Sequence, residues 1–160
     1  MSVVAAVDCG TNSIRLLVAK PGETTPLTDI HREMRVVRLG QGVDATGQFA
    51  DEAIERTRVA LADYVEVMVG AGVEKVRMVA TSATRDAANR DRFFAMTAEL
   101  LGAVVPGAIA EVITGDEEAQ LSFRGAVGEL PADQGPFVVT DLGGGSTEVV
   151  VGDAAVSYTH

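Results

Sequence analysis

Two kinds of hydrophobic pattern follow one another along the chain. Val3 to Asp8 and Ile14 to Ala19 are short apolar runs of strand length, separated by a tight turn at Gly10-Thr11-Asn12. Lys20-Pro21-Gly22 turns the chain again, and a third extended stretch runs from about Pro26 to Leu39, so the opening is a β-meander. From Asp51 to Gly70, Ile54, Leu61, Val65 and Met68 fall at helical spacing behind an acidic first turn, which predicts a helix. Val76 to Thr81 predicts a buried strand. A second helix lies within Arg85 to Leu101, with Phe93, Phe94, Met96, Leu100 and Leu101 on its apolar side. Ala108 to Ile113 predicts a further strand, leading into a third helix that starts at Thr114 and ends near Gly128 to Pro131. Three meander strands followed by alternating helices and strands predict an α/β domain, a mixed sheet with flanking helices. The loop after Gly128 marks a boundary between a first domain, 1–130, and the start of a second, 131–160. Phe137 opens a new hairpin there, with no helix after it to cover it.

Bulk properties narrow the function. A chain of 160 residues, 47% of them hydrophobic, supports one globular domain with a sizeable core, or one domain and part of another. No apolar run reaches transmembrane length and no signal segment precedes the first strand, which places the chain in the cytoplasm and off the membrane. Cys9 is the single cysteine, so an intramolecular disulfide and a cysteine-rich zinc site are both excluded. His31 and His160 belong to no metal-ligand or Ser-His pattern. A net charge of −10 argues against nucleic acid as a partner, so any anionic ligand must be held locally.

One local pattern occurs twice. Asp8-Cys9-Gly10-Thr11-Asn12-Ser13 and Asp141-Leu142-Gly143-Gly144-Gly145-Ser146 share D-x-G-x-[N/G]-S, each between apolar strands, as expected of two related half-sites facing each other. Small residues in a tight turn let successive backbone N–H groups approach an anion. Thr11, Ser13, Ser146 and Thr147 add hydroxyls. Asp8, Asp141 and Glu148 would repel a phosphate unless a hard divalent cation sat between them. Magnesium suits such a place because it takes few carboxylates, several waters and the oxygens of the phosphate itself. There is no Walker A loop, and Gly40-Gln41-Gly42-Val43-Asp44-Ala45 resembles a dinucleotide fingerprint only loosely, with no clear helix starting in it.

Thr114-Gly115-Asp116-Glu117 fits a capping box, which accounts for Glu117. Glu118, about 100° further round the helix, is either a solvated first-turn acid or a general base that positions water. Arg32, Arg35 and Arg38 form one cationic cluster and Arg85, Arg90 and Arg92 another. In so acidic a chain most of these are expected to be ion-pair partners. Arg85 follows a strand end, from which a guanidinium can grip phosphate oxygens with two hydrogen bonds. Arg15 either joins the first turn or points to solvent.

Five segments, DCGTNSIRLLV, REMRVVRLGQG, ATSATRDAAN, ITGDEEAQL and DLGGGSTEVV, together and in this order resemble the exopolyphosphatase / guanosine pentaphosphate phosphatase family. That family has the fold of actin, sugar kinases and heat-shock-chaperone ATPases, in which two ribonuclease H-like domains carry one phosphate loop each. The resemblance implies Mg²⁺-dependent hydrolysis of a terminal phosphoanhydride, from inorganic polyphosphate or guanosine pentaphosphate. It implies Glu118 as the water-activating base, Arg85 as the motif arginine, and Asp141 and Glu148 as metal ligands. Gly143, Gly144, Gly145, Ser146 and Thr147 then bind phosphate, and Asp8, Thr11, Asn12, Ser13 and Arg15 form the first loop. Phosphoryl transfer relies on positioning and charge neutralisation, so it needs no histidine or cysteine nucleophile.

Family members continue well past the second loop, so the resemblance covers domain one and only the first hairpin of domain two. An unpaired hairpin with Val149 to Val151 at an apolar edge would pair with another copy, giving a homodimer. Two other functions fit the residues: a module that holds polyphosphate or an alarmone without turnover, and an ATP-dependent kinase of the same fold. Retention of Glu118 and Glu148 favours the hydrolase over the first, and ATSATRDAAN favours it over the second.

Overall fold

The computed structural model describes residues 2–24, 27–153 and 157–159. The chain divides into two compact units, Met1–Val112 and Ile113–His160. In the first, β1 (Val3–Cys9), β2 (Ser13–Pro21) and β3 (Leu27–Val36) form the meander, and Pro26, where the third stretch was expected to begin, lies outside the described residues. A one-turn helix α1 (Val43–Thr46), the long α2 (Asp51–Gly70), β4 (Val73–Ala80), the short α3 (Ser82–Asp86), α4 (Arg90–Leu101) and β5 (Glu111–Val112) follow. The sheet order is β3-β2-β1-β4-β5. The meander pairs are antiparallel, and β4 lies parallel to both β1 and β5. This is the mixed sheet with flanking helices that the pattern of elements predicts.

The pleat sorts the side chains of this sheet. Ala5, Val7 and Cys9 of β1, Ile14, Leu16 and Val18 of β2, and Met78 and Ala80 of β4 are buried in one cluster with Leu61, Tyr64 and Met68 of α2 and Phe93 and Leu101 of α4. The alternate positions Ala6, Asp8 and Arg15 are exposed. The α2 helix is fixed to the sheet by a buried hydrogen bond of 2.7 Å from the Tyr64 hydroxyl to the Ile14 carbonyl, with the Arg35 guanidinium 5.5 Å over the Tyr64 ring. Burial also pushes the Cys9 thiol far above its ordinary range, with the Asp8 charge adding to it, so the thiol stays protonated.

Three sequence readings change. The strand expected over 108–113 is only Glu111–Val112, and the glycine-rich stretch after Leu39 does contain a helix, the single turn α1 behind Gly42. That turn follows an antiparallel meander, which is not the strand–turn–helix setting of a dinucleotide site. The third change concerns the second unit, which contains α5 (Gly115–Val127), a 3₁₀ turn at Ala132–Gln134, β6 (Phe137–Leu142), β7 (Thr147–Gly152) and β8 (Ser157–Thr159). The hairpin is neither bare nor unpaired. α5 packs on it through Ala119, Phe123 and Val127, against Val150 with Phe137 and Val139 alongside. β7 is the middle strand of the order β6-β7-β8, so Val149 to Val151 is not an edge.

Burial, followed by the nearby Glu33 charge, pushes the Tyr64 phenol up to about 12 from 10.0. The raised value means that the folded state keeps a proton the unfolded chain loses. Its contribution to stability is complete below about pH 10 and is lost as pH rises towards about 12. Tyr64→Phe should lower the free energy of urea unfolding at pH 7 by about 1–2 kcal/mol. The decline between pH 10 and 12 should be weaker in the variant than in the parent chain.

Candidate functional site

Both copies of the repeated turn close in the same way. Gly10 N–H donates to the Ser13 carbonyl at 3.0 Å and Gly143 N–H to the Ser146 carbonyl at 2.9 Å. Each turn therefore joins its strands in the same register, with Cys9 opposite Ile14 in one and Leu142 opposite Thr147 in the other. One step further back, Asp8 is opposite Arg15 and Asp141 is opposite Glu148. Residues directly opposite in an antiparallel pair share a face. The scaffold is duplicated and its charge is not: the first loop sets an acid beside a base, and the second sets an acid beside an acid.

The closing bond also assigns the glycines. The amide of Gly143 is engaged by Ser146, and a Cβ there would lie 2.9 Å from the Ser146 carbonyl oxygen. Gly143, expected to donate to phosphate, instead makes the turn tight. The exposed Gly144 and Gly145 carry the tip, with half-buried Ser146 and exposed Thr147 after them.

The first loop is held on two sides. Thr11 Oγ1 and Ser82 Oγ, at the start of α3, share a hydrogen bond of 2.8 Å. The Thr11 carbonyl accepts from Gly40 N–H, and the Asn12 carbonyl accepts from both Val37 and Arg38 N–H, each at 2.9 Å. The Thr11 hydroxyl, read from the sequence as a ligand donor, thus has a structural partner first. Ser13 is half-buried, while Asn12 and Arg15 are exposed. Arg85 stands half-buried on α3, and its carbonyl accepts from the Arg90 guanidinium at 3.2 Å.

In the second unit, Thr114 caps α5 by accepting from Glu117 N–H at 3.1 Å. Glu117 is exposed and Glu118 half-buried. Four residues on from Glu118, and so on the same side of the helix, Ser122 donates to Asp141 Oδ2 at 2.6 Å. The helix that carries Glu118 is therefore tied directly to the strand that carries Asp141. Sequence reading missed Ser122 and Ser82. The i+4 spacing of Ser122 from Glu118 was the available signal for the first, and nothing local marks the second.

The residues at Asp141 and Glu148 fit a divalent cation. Two carboxylates stand side by side, an arrangement that repels. Glu148 is only 9% exposed and makes no side-chain hydrogen bond or ion pair among the described residues. A carboxylate with so little solvent contact and a second acid opposite it gains from a cation. Among the described residues no group of three or more His, Cys, Asp or Glu gathers as a metal cage. Two carboxylates are what magnesium takes when a phosphate supplies further oxygens. Asp8 belongs to the other unit, opposite an arginine rather than a second acid. A cavity of about 360 Å³ between β3 and α2, lined among others by Val36, Val37, Val59 and Ala60, contains none of these groups.

Residues 17–159 match the model of the Ppx/GppA phosphatase family. The chain is 67% identical over 160 residues to exopolyphosphatase 2 of Mycobacterium tuberculosis, covering 98% of this chain and 50% of that protein. A solved exopolyphosphatase-like protein superposes with a TM-score of 0.84 at 42% identity, covering 99% of this chain and 50% of the other. The Aquifex aeolicus member of the Ppx/GppA family gives a TM-score of 0.78 at 33% identity, covering 98% and 49%. The chain thus spans about half the length of the relatives it matches. Among the described residues no helix is long and apolar enough to cross a membrane.

Gly40 tests the seating of the first loop. An alanine Cβ there would lie 2.4 Å from Thr11 Cγ2 and 3.4 Å from Ala83 Cβ. Thr11 can make room only by rotating its hydroxyl away from Ser82. Gly40→Ala should lower stability by about 1–3 kcal/mol and shift the amide resonances of Thr11 and Asn12, while those of Gly144 and Gly145 stay in place.

Proposed function

The chain belongs to the Ppx/GppA phosphatase family, and we propose that it carries the general base and the phosphate loops of a phosphoanhydride hydrolase that removes the terminal phosphate of inorganic polyphosphate. The observation that carries this reading is the tie from Ser122 of α5 to Asp141, which joins the helix bearing Glu118 to a phosphate-type turn flanked by two facing carboxylates. The 67% identity to a protein named exopolyphosphatase 2 supports the substrate class.

Each residue then has a task. The turn tips, Thr11 to Ser13 and Gly144 to Thr147, offer backbone N–H and hydroxyl donors to phosphate oxygens. Arg85 and Arg15 place guanidinium charge on them. Asp141 and Glu148 would hold Mg²⁺, and Ser122 fixes one Asp141 oxygen by a hydrogen bond. A bound cation would supply neutralisation of phosphate charge. Glu118 accepts a proton from water as its oxygen attacks the terminal phosphorus. The bond from that phosphorus to the bridging oxygen breaks, releasing orthophosphate and a chain one unit shorter. Asp8, opposite Arg15, steadies the first loop.

Guanosine pentaphosphate ends in the same phosphoanhydride and is the second substrate of this reading. The proposed domain boundary at 130/131 falls after α5, whereas packing groups α5 with the hairpin, in the unit that begins at Ile113. A cytoplasmic homodimer completes the proposal. A second copy would cover Val138 and Leu142, which are 67% and 79% exposed on β6. Sedimentation should then give twice the monomer mass, and a monomer would remove this part alone.

The decisive experiment compares phosphate release from long-chain polyphosphate by this chain, by a form continued through the length of its relatives, and by that form carrying Glu118→Gln. The continued form should release phosphate only with Mg²⁺. Glu118→Gln should lower the rate about 10²- to 10⁴-fold and leave polyphosphate binding within a few-fold. Polyphosphate bound without release by any form would favour the binding module instead.

A further inference from the structure

In a chain of net charge −10 most arginines are used up by acids or carbonyls. Arg32 pairs with Asp29, Arg35 with Glu33 and Asp63, Arg58 with Glu55, Arg77 with Glu111 and Arg92 with Asp51. Arg56 donates to the Val37 carbonyl and to Gln41. Arg38 stands apart from its neighbours Arg32 and Arg35. Its guanidinium is exposed, and among the described residues it makes no hydrogen bond or ion pair.

Its backbone is also out of the ordinary. Arg38 has φ 52°, in the left-handed region, and every other described residue with positive φ is glycine: Gly42, Gly47, Gly72 and Gly107. A glycine at 38 would adopt this conformation without strain. The surroundings hold the strained backbone from both sides. Arg38 N–H donates to the Asn12 carbonyl at 2.9 Å, and the Arg38 carbonyl accepts from Gln41 N–H at 3.1 Å and from Arg56 at 3.4 Å. Strain that the surroundings enforce, at a residue whose side chain is exposed and, among the described residues, unpaired, points to a use for that side chain. The residue whose carbonyl fixes Arg38 is Asn12, at the tip of the first phosphate-type turn.

We propose that Arg38 is a substrate-binding residue of the first loop, held to the Asn12 carbonyl by its backbone N–H and offering its exposed guanidinium to the oxygens of a polyphosphate chain. This rests on the phosphate-hydrolase reading above and adds to it a cationic contact outside the two D-x-G-x-[N/G]-S motifs. Arg15 follows the same turn on β2, and Arg38 is bonded to it through its backbone from the segment after β3, so two exposed arginines are carried by chain segments that meet at this loop. A polyanion of several phosphates uses both, whereas orthophosphate uses one. Arg38 therefore favours longer chains over the product.

The backbone strain makes the test selective. Arg38→Gly removes the charge and relieves the strain, so its melting temperature should equal or exceed that of the parent. Its affinity for inorganic tripolyphosphate, by titration calorimetry with Mg²⁺ on the form continued through the length of its relatives, should fall roughly tenfold, the loss of one charge-assisted contact. Orthophosphate affinity should change less than threefold. Arg38→Lys should restore part of the tripolyphosphate affinity. Arg32→Ala, which removes an equal charge from the same segment, should bind as the parent does. Parent-like tripolyphosphate binding by Arg38→Gly overturns the proposal, as does an equal loss in Arg32→Ala, which would make the effect one of bulk charge. A marked fall in the melting temperature of Arg38→Gly also overturns it, in favour of a structural role. If the parent itself binds no tripolyphosphate, the hydrolase reading fails first and carries this one with it.

Discussion

A single backbone hydrogen bond, from the glycine of each turn to the carbonyl of the serine three residues on, sets the geometry on which both loops depend. It fixes where one strand ends and the next begins, and a register slip of one residue would send every side chain to the opposite face. With the register fixed, the aspartate before each turn has a fixed opposite number. Nothing else in the two strand pairs has to match. The apolar residues around each turn differ, and so does the packing: Cys9 and Val7 face α2 and α4 in the first unit, whereas Asp141 and Glu148 lie on the face that α5 covers in the second.

The consequence is a division of electrostatic labour between two copies of one turn. Opposite Asp8 stands Arg15, so the first loop is close to neutral and suited to an anion. Opposite Asp141 stands Glu148, so the second loop is doubly acidic and suited to a cation. Two facing carboxylates, one buried and one half-buried, are best tolerated with a compensating charge or good hydrogen bonds. Ser122 supplies one such bond. Coupling the helix to the strand through that bond also makes the position of Glu118 a property of the same hydrogen-bonded unit.

Most of this was legible from residues close in sequence. The bounds of α2, Asp51–Gly70, follow from its periodicity and the glycine at its end. The start of β6 at Phe137 and the cap at Thr114 follow from local turn and capping chemistry. What was not legible depends on long-range packing. The strand over 108–113 shrinks to two residues, paired with Val79 and Ala80 at the end of β4. The cover on the hairpin comes from an element earlier in the chain, and a reading that looked only for a helix after β7 could not find it. Gly143 reads as a phosphate donor because a sequence does not say which way an amide points, and the structure gives that amide to Ser146. The arginine cluster at 32, 35 and 38 reads as three equal charges, and only the paired acids at 29, 33 and 63 separate the third from the other two.

Cys9 sits at the end of β1, 1% exposed, one residue before the first turn, with its thiol held in the neutral form. Thiol reagents attack the thiolate, so in the closed fold this sulfur is shielded twice, by access and by protonation. It becomes reactive only when β1 parts locally from its neighbours. Because it is the single cysteine, its labelling rate is a clock for the opening of the floor beneath the first loop, built into the chain without any engineered probe.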